Sequence, residues 1–217
     1  MNYSEIVEAA LSFADRTDTE TVAKIPVFVK MVESKINRVL RTQEIEAVET
    51  VILFEDGGDP GSYAILPSNF SEMREATVFD EDTNEYYTMQ YITPKVFNDL
   101  VKNPFLPVGK QYAGQIIYTI KSNLLLTNAT FSNSGDVKIQ YYKKVTPLTE
   151  ADPENEISVF YPDAYIAGIV FEISSFVKNP DAAAAWNARF DSILGELTTQ
   201  NWLKKWPASS LVTIIEI

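Results

Sequence analysis

The sequence predicts an α+β protein: a helical bundle formed by the N- and C-terminal helices, an inserted antiparallel β-rich lobe, and an extended C-terminal segment. Three observations predict it. Apolar residues recur at three- and four-residue steps in the first forty or so positions and again from Pro162 onward. Between them lie short β-branched and aromatic runs punctuated by Gly, Pro, Asn and Asp. Beyond Pro207 the chain is strongly apolar without a helical period. The implied division is 1–45 with 155–206 as the bundle, 46–154 as the lobe, and 207–217 as a C-terminal arm.

The first helix is predicted over Ser4–Ala14. It carries Ile6, Val7, Ala10 and Leu11 on one face, and Asn2 with Glu5 is a capping box. Asp18 suits the cap of a turn running to Ala23, after which Pro26 stands at the first position of a longer helix reaching Arg41. Its stripe is Phe28, Val32, Ile36, Val39 and Leu40, with Lys30, Glu33, Lys35 and Arg38 opposite or flanking. From Glu46 the period becomes extended. Val48–Phe54 and Ser62–Leu66 read as a hairpin around Gly57-Gly58-Asp59-Pro60-Gly61. Further strands are predicted over 74–79, 86–91, 115–121, 123–127 and 136–144; in the last, Val137, Ile139 and Tyr141 alternate with Lys138, Gln140 and Tyr142. Thr93-Pro94 opens a short helix with Val96, Phe97, Leu100 and Val101 that Asn103-Pro104 ends. The acidic stretch 147–157 reads as a linker. Pro162 then opens a helix bearing Ile166, Ile169, Val170, Ile173, Phe176 and Val177, and Pro180 opens another bearing Ala182, Trp186, Phe190, Ile193, Leu194 and Leu197. These two predict an antiparallel hairpin packed on the N-terminal helices.

Composition narrows the chemistry. The 217 residues are 46% hydrophobic and 12% aromatic, as in a globular protein. No apolar stretch approaches the roughly 18 residues of a membrane span, and Met1-Asn2-Tyr3-Ser4-Glu5 does not open like a signal peptide, so no membrane association and synthesis in the cytoplasm are expected. There is no cysteine and no histidine. Disulfides, thiolate nucleophiles, imidazole bases and the usual zinc ligand sets are therefore unavailable, and only carboxylate, lysine or tyrosine chemistry remains. Thirty acidic against 18 basic residues give a net charge of −12, which argues against gripping nucleic acid by its phosphates yet suits a wall past which a duplex slides.

Several candidate sites resolve to ordinary features. Asp80-Glu81-Asp82-Thr83-Asn84-Glu85 begins like a calcium loop but has Glu85 where an EF-hand needs Gly and Tyr91 where it needs Glu, so a solvated turn is expected. Glu55, Asp56 and Asp59 read as a hairpin tip rather than a cation site. No glycine-rich loop has phosphate-binding spacing. Arg74, Lys121, Lys143, Lys144, Lys204 and Lys205 are too scattered for a nucleic-acid patch and suit an interface rim or ordinary surface. No catalytic, cofactor or metal residues are assigned, and the chain is expected not to be an enzyme.

The C-terminal stretch is anomalous. Trp202, Leu203 and Trp206 lead through Pro207-Ala208-Ser209-Ser210 into Leu211-Val212-Thr213-Ile214-Ile215-Glu216-Ile217, of which five of seven residues are aliphatic. Such a run either docks as a strand on the protein's own sheet or adds a strand to another subunit or a partner, where backbone hydrogen bonds supply affinity. The second is the favoured expectation.

Three stretches, in order, resemble one family, the bacteriophage head-to-tail adaptors of the podophage tail tubular protein A type. Ile25-Pro26-Val27-Phe28-Val29, continuing to Asn37-Arg38-Val39-Leu40-Arg41-Thr42, is similar to that family's opening helix. Leu66-Pro67-Ser68-Asn69-Phe70-Ser71-Glu72-Met73-Arg74 is similar to the start of its strand region. Tyr161-Pro162-Asp163-Ala164-Tyr165 with Ala184-Ala185-Trp186 and Arg189-Phe190 is similar to its closing hairpin. The resemblance implies a virion structural protein at the head-tail junction: a dodecameric ring between portal protein and tail nozzle protein, with genomic DNA passing through unbound. It implies a portal or subunit interface at Trp202, Trp206, Leu211, Val212, Ile214, Ile215 and Ile217, and a tail-facing loop at Asp56, Gly57, Gly58 and Asp59. A tail-tube or nozzle component is an alternative; a glycan-binding tail module using Tyr86, Tyr87 and Tyr91 is another.

Overall fold

The computed structural model describes residues 1–55, 62–80, 85–102, 114–129 and 136–205. They form two compact units, one from Met1–Ile45 with Val145–Ile217 and one from Glu46–Lys144. The class is α+β, with terminal helices and a β-lobe as expected.

In the helical unit, α1 (Tyr3–Ala14) starts at the anticipated capping box: the Asn2 side chain accepts from the Glu5 amide at 2.9 Å, and Glu5 accepts from the Asn2 amide at 3.0 Å. Helix α2 (Thr19–Val39) corrects the sequence reading. It is one continuous helix from the Asp18 cap, and Pro26 lies inside it. Proline removes one intrahelical bond, but buried Thr21, Ile25, Phe28 and Val29 anchor the turns on either side, so tertiary packing carries the helix through. Leu40 is fully buried while Val39 is exposed, so the stripe closes on the former.

The supposed linker is packed rather than loose. Leu148, Asn155 and Ile157 are buried, and a short helix α4 (Glu156–Phe160) follows the Asn155 cap. Helix α5 (Pro162–Phe176) contacts α1, α2, α4 and the long α6 (Pro180–Lys205), forming the hairpin with the last. Because α5 is surrounded, it buries Ala164, Tyr165, Ala167, Gly168, Ile169, Val170 and Ile173 on more than one side. At Gly168 an added Cβ would lie 2.8 Å from both γ-carbons of Val32 and 3.2 Å from Phe190, so the glycine sets how closely the helices approach.

The other unit holds two sheets. A four-stranded antiparallel sheet has the order β1 (Glu46–Ile52), β9 (Asp136–Lys143), β4 (Phe70–Asp80), β5 (Glu85–Thr88). A five-stranded sheet has the order β2 (Phe54–Glu55), β3 (Ser62–Ile65), β8 (Leu124–Thr127), β7 (Ile117–Lys121), β6 (Gln90–Tyr91), with β6 parallel to β7. Helix α3 (Pro94–Lys102) buries Phe97 and Leu100 against Ile92 and Ile117. The two sheets share one core, Val51, Val78, Val137, Ile139 and Tyr141 from the first meeting Ala64, Tyr118 and Leu125 from the second.

Two predicted strands are divided. The run 48–54 breaks at Leu53 and the run 86–91 at Met89, both buried in the shared core. At each the chain passes from one sheet to the other. The predicted hairpin is accordingly confined to Phe54↔Tyr63 and Glu55↔Ser62, and β1 pairs along its length with β9 instead.

A buried carboxylate node and the candidate interaction surfaces

Glu33 is the main functional-type group that pattern reading misplaced. Set among flanking polar positions in the sequence, it is buried, at 7% exposure. Its Oε1 accepts from the Leu148 amide at 2.6 Å and from the Tyr165 hydroxyl at 3.0 Å. Asn155 Nδ2 donates to the Tyr165 oxygen and to the Thr146 carbonyl, each at 2.7 Å, while Asn155 Oδ1 accepts from the Ile157 and Ser158 amides. Burial raises the Glu33 carboxyl above its ordinary 4.5, opposed by these donors, and burial beside Glu33 also pushes the Tyr165 hydroxyl up. One carboxylate thus fastens α2 to the 145–155 segment and to α5. The only early signal was its place on the α2 wheel, next to Val29 and Ile36, at the margin of the apolar stripe.

Two further contacts brace the bundle. Lys35 pairs with Asp191 at 2.7 Å and donates to Asn187 at 2.9 Å, with its ammonium 4.7 Å from the Phe190 ring centroid. Tyr161 donates to Glu44 at 2.8 Å, and its hydroxyl is pushed up to about 12 by burial and by that carboxylate.

In the β-unit the Tyr141 hydroxyl donates to Glu49 at 2.7 Å on the core-side face of the four-stranded sheet, and Arg74 pairs with Glu46. The opposite face is defined by register. Thr50 faces Lys138, Lys138 faces Thr77, and Thr77 faces Thr88, a polar row across all four strands. Two residues along from that row, on the same face, stand Val48 and Ile52 at one edge and Tyr86 at the other, exposed by 55%, 56% and 65%. Tyr86 leans on Phe79, its cross-strand partner, with ring centroids 4.8 Å apart.

Of the tyrosines considered for glycan binding, Tyr87 and Tyr91 line an open groove of about 810 Å³ with Arg74, Glu75, Gln90 and Tyr118, whereas Tyr86 lies on the other face. The remaining sequence-derived sites fall elsewhere. Asp56, Gly57, Gly58 and Asp59 lie outside the described residues, as do Trp206, Leu211, Val212, Ile214, Ile215 and Ile217; Trp202 falls within α6, but its side chain is likewise outside them. Among the described residues no group of three or more acidic side chains is placed to hold a metal, and no helix is long and apolar enough to cross a membrane.

The described residues thus show a helical unit tied together by buried polar contacts and a separate lobe whose four-stranded sheet turns apolar side chains outward at both edges. The chain belongs to the SU10 adaptor protein family, whose model matches residues 1–212. It is therefore a phage adaptor, a structural protein of the virion. No curated protein matches the sequence.

Proposed function

We propose that this protein is the head-to-tail adaptor of its phage: made in the host cytoplasm, it assembles as a ring, dodecameric by family resemblance, between the portal protein and the tail nozzle protein, and lines the channel through which genomic DNA passes. The observation that carries this is the family match over residues 1–212, which takes in all three stretches that resemble podophage head-to-tail adaptors. The net charge of −12 fits a conduit wall that does not hold DNA. The apolar segment from Trp202 to Ile217 is the portal or subunit interface, through strand addition, and the loop 56–59 faces the tail.

The test is capture of the full-length chain by its phage's portal ring, with and without residues 207–217. Full-length protein is expected to co-sediment with the portal, and the truncated chain to lose at least tenfold in affinity while keeping its helical and sheet signature by circular dichroism. Equal binding by both would overturn the role given to the arm; no binding by either would overturn the portal assignment.

The groove holding Tyr87 and Tyr91 is the specific observation favouring a second reading, a glycan-binding tail module. That reading expects Tyr87→Ala with Tyr91→Ala to abolish binding on a glycan array while assembly is retained. An intact chain that binds no glycan rules it out.

A further inference from the structure

We infer that neighbouring copies join through the four-stranded sheet, β5 of one copy pairing with β1 of the next, so that the sheets run head to tail around the ring. This rests on the ring-forming reading above and adds the surface that builds it.

Both strands are edges, and no described strand pairs with their outer sides. An open edge offers unpaired backbone groups and is normally blunted by charge, proline or a bulge. Neither β1 nor β5 contains lysine or proline, and the bulges of this sheet lie in β4, opposite β9. The side chains favour the same pairing. On the outward face the middle of the sheet is polar, Thr50, Lys138, Thr77 and Thr88, while the large apolar side chains sit at its two ends, Val48 and Ile52 on β1 and Tyr86 on β5. A single copy gains nothing from this distribution. Continuation of the sheet into a second copy brings Tyr86 beside Val48 and Ile52 and covers all three.

The glutamates of the two edges stand away from the apolar contact or are already engaged. Glu49 and Glu85 lie on the other face, where they meet Tyr141 and Tyr87, and Glu46 is paired with Arg74. Strand direction fits as well. Alternation along β1, β9, β4 and β5 leaves β5 antiparallel to a β1 placed next to it in the same sense, so the ladder repeats without a break. A contact between two different edges is heterologous, the kind that builds a ring when the rotation per copy closes and an open filament when it does not; the portal template selects the closed form.

The absence of cysteine makes the test clean. Full-length chains carrying Ile52→Cys with Tyr86→Cys, or Val48→Cys with Thr88→Cys to allow for register, are assembled on the portal ring and mildly oxidised. Within one copy the two edges are three strand spacings apart, roughly 14 Å, beyond the roughly 7 Å that a disulfide can bridge. Linkage therefore reports on neighbours. The expected result is a covalent ladder extending to ring size in at least one double variant and monomers in each single variant. Collars visible by microscopy without a ladder in either double variant would overturn the inference while leaving the ring reading intact. Dimers from a single-cysteine variant would overturn it in favour of a two-fold contact. If no collar forms, the ring reading fails and the inference falls with it. As a second measurement, Ile52→Lys is expected to fold with an unchanged circular dichroism spectrum and to lose collar formation; collars at wild-type occupancy would contradict the proposal.

Discussion

Glu33 shows how one residue can hold a fold and tax it at the same time. Its carboxyl satisfies the buried Leu148 amide and Tyr165 hydroxyl, yet burial disfavours its ionised form, so its folded pKa lies above the ordinary 4.5. The folded chain then holds more protons at this site than the unfolded chain between the two values. The Glu33 contribution is therefore greatest at the acidic end of that window and is lost as pH rises through the folded pKa. Glu33→Gln, which keeps an acceptor oxygen without a titrating proton, is expected to flatten this part of the pH profile in urea melts; an unchanged slope would contradict it. Glu33→Ala strands both donors and is expected to cost about 2–6 kcal/mol in the same melts, since each unsatisfied buried group costs about 1–3 kcal/mol.

Among the elements, α5 is the one whose neighbours leave it least freedom. Gly168→Ala gains up to about 1 kcal/mol of helix propensity, but the new methyl meets Val32 at 2.8 Å, and overpacking of this kind costs about 1–3 kcal/mol. Net destabilisation is expected in a thermal or urea melt; a stabilised variant would show that α2 and α6 can yield. Local signals made much of this level legible in sequence. The Asn2–Glu5 box, the Pro162 and Pro180 starts and the alternation of Val137, Ile139 and Tyr141 each specify an element without help from the rest of the fold. The misses share a cause. Pro26 reads as a helix start because its local cost is visible, while the packing of Thr21, Ile25 and Phe28 that offsets it is not. Leu53 and Met89 look like ordinary strand residues because a change of sheet leaves no mark on a run that is strand-forming on both sides of it. Glu33 follows the same rule, its partners lying more than one hundred residues away in the chain. Of the residues on the described sheet faces and groove, Tyr86, Tyr87, Tyr91 and Arg74 were singled out from sequence; the apolar character of the two sheet edges emerges only when register puts Val48, Ile52 and Tyr86 on one face.

For the whole molecule, a charge of −12 and outward apolar edges act in opposite directions. Self-repulsion at moderate salt favours separate copies, while edge pairing and the apolar arm reward association once a template gathers them. Free protein is thus expected to be monomeric, and ring formation to depend on the portal. Screening weakens long-range repulsion, so raising salt is expected not to dissolve the collar once it has formed, which sedimentation at increasing sodium chloride would show. The most direct test of the adaptor assignment is negative-stain microscopy with light-scattering mass on the purified chain, alone and mixed with its phage's portal ring. Monomers that become a stoichiometric collar on the portal are the expected result; protein that stays free beside the portal, or builds its own tube without it, would contradict a head-to-tail adaptor.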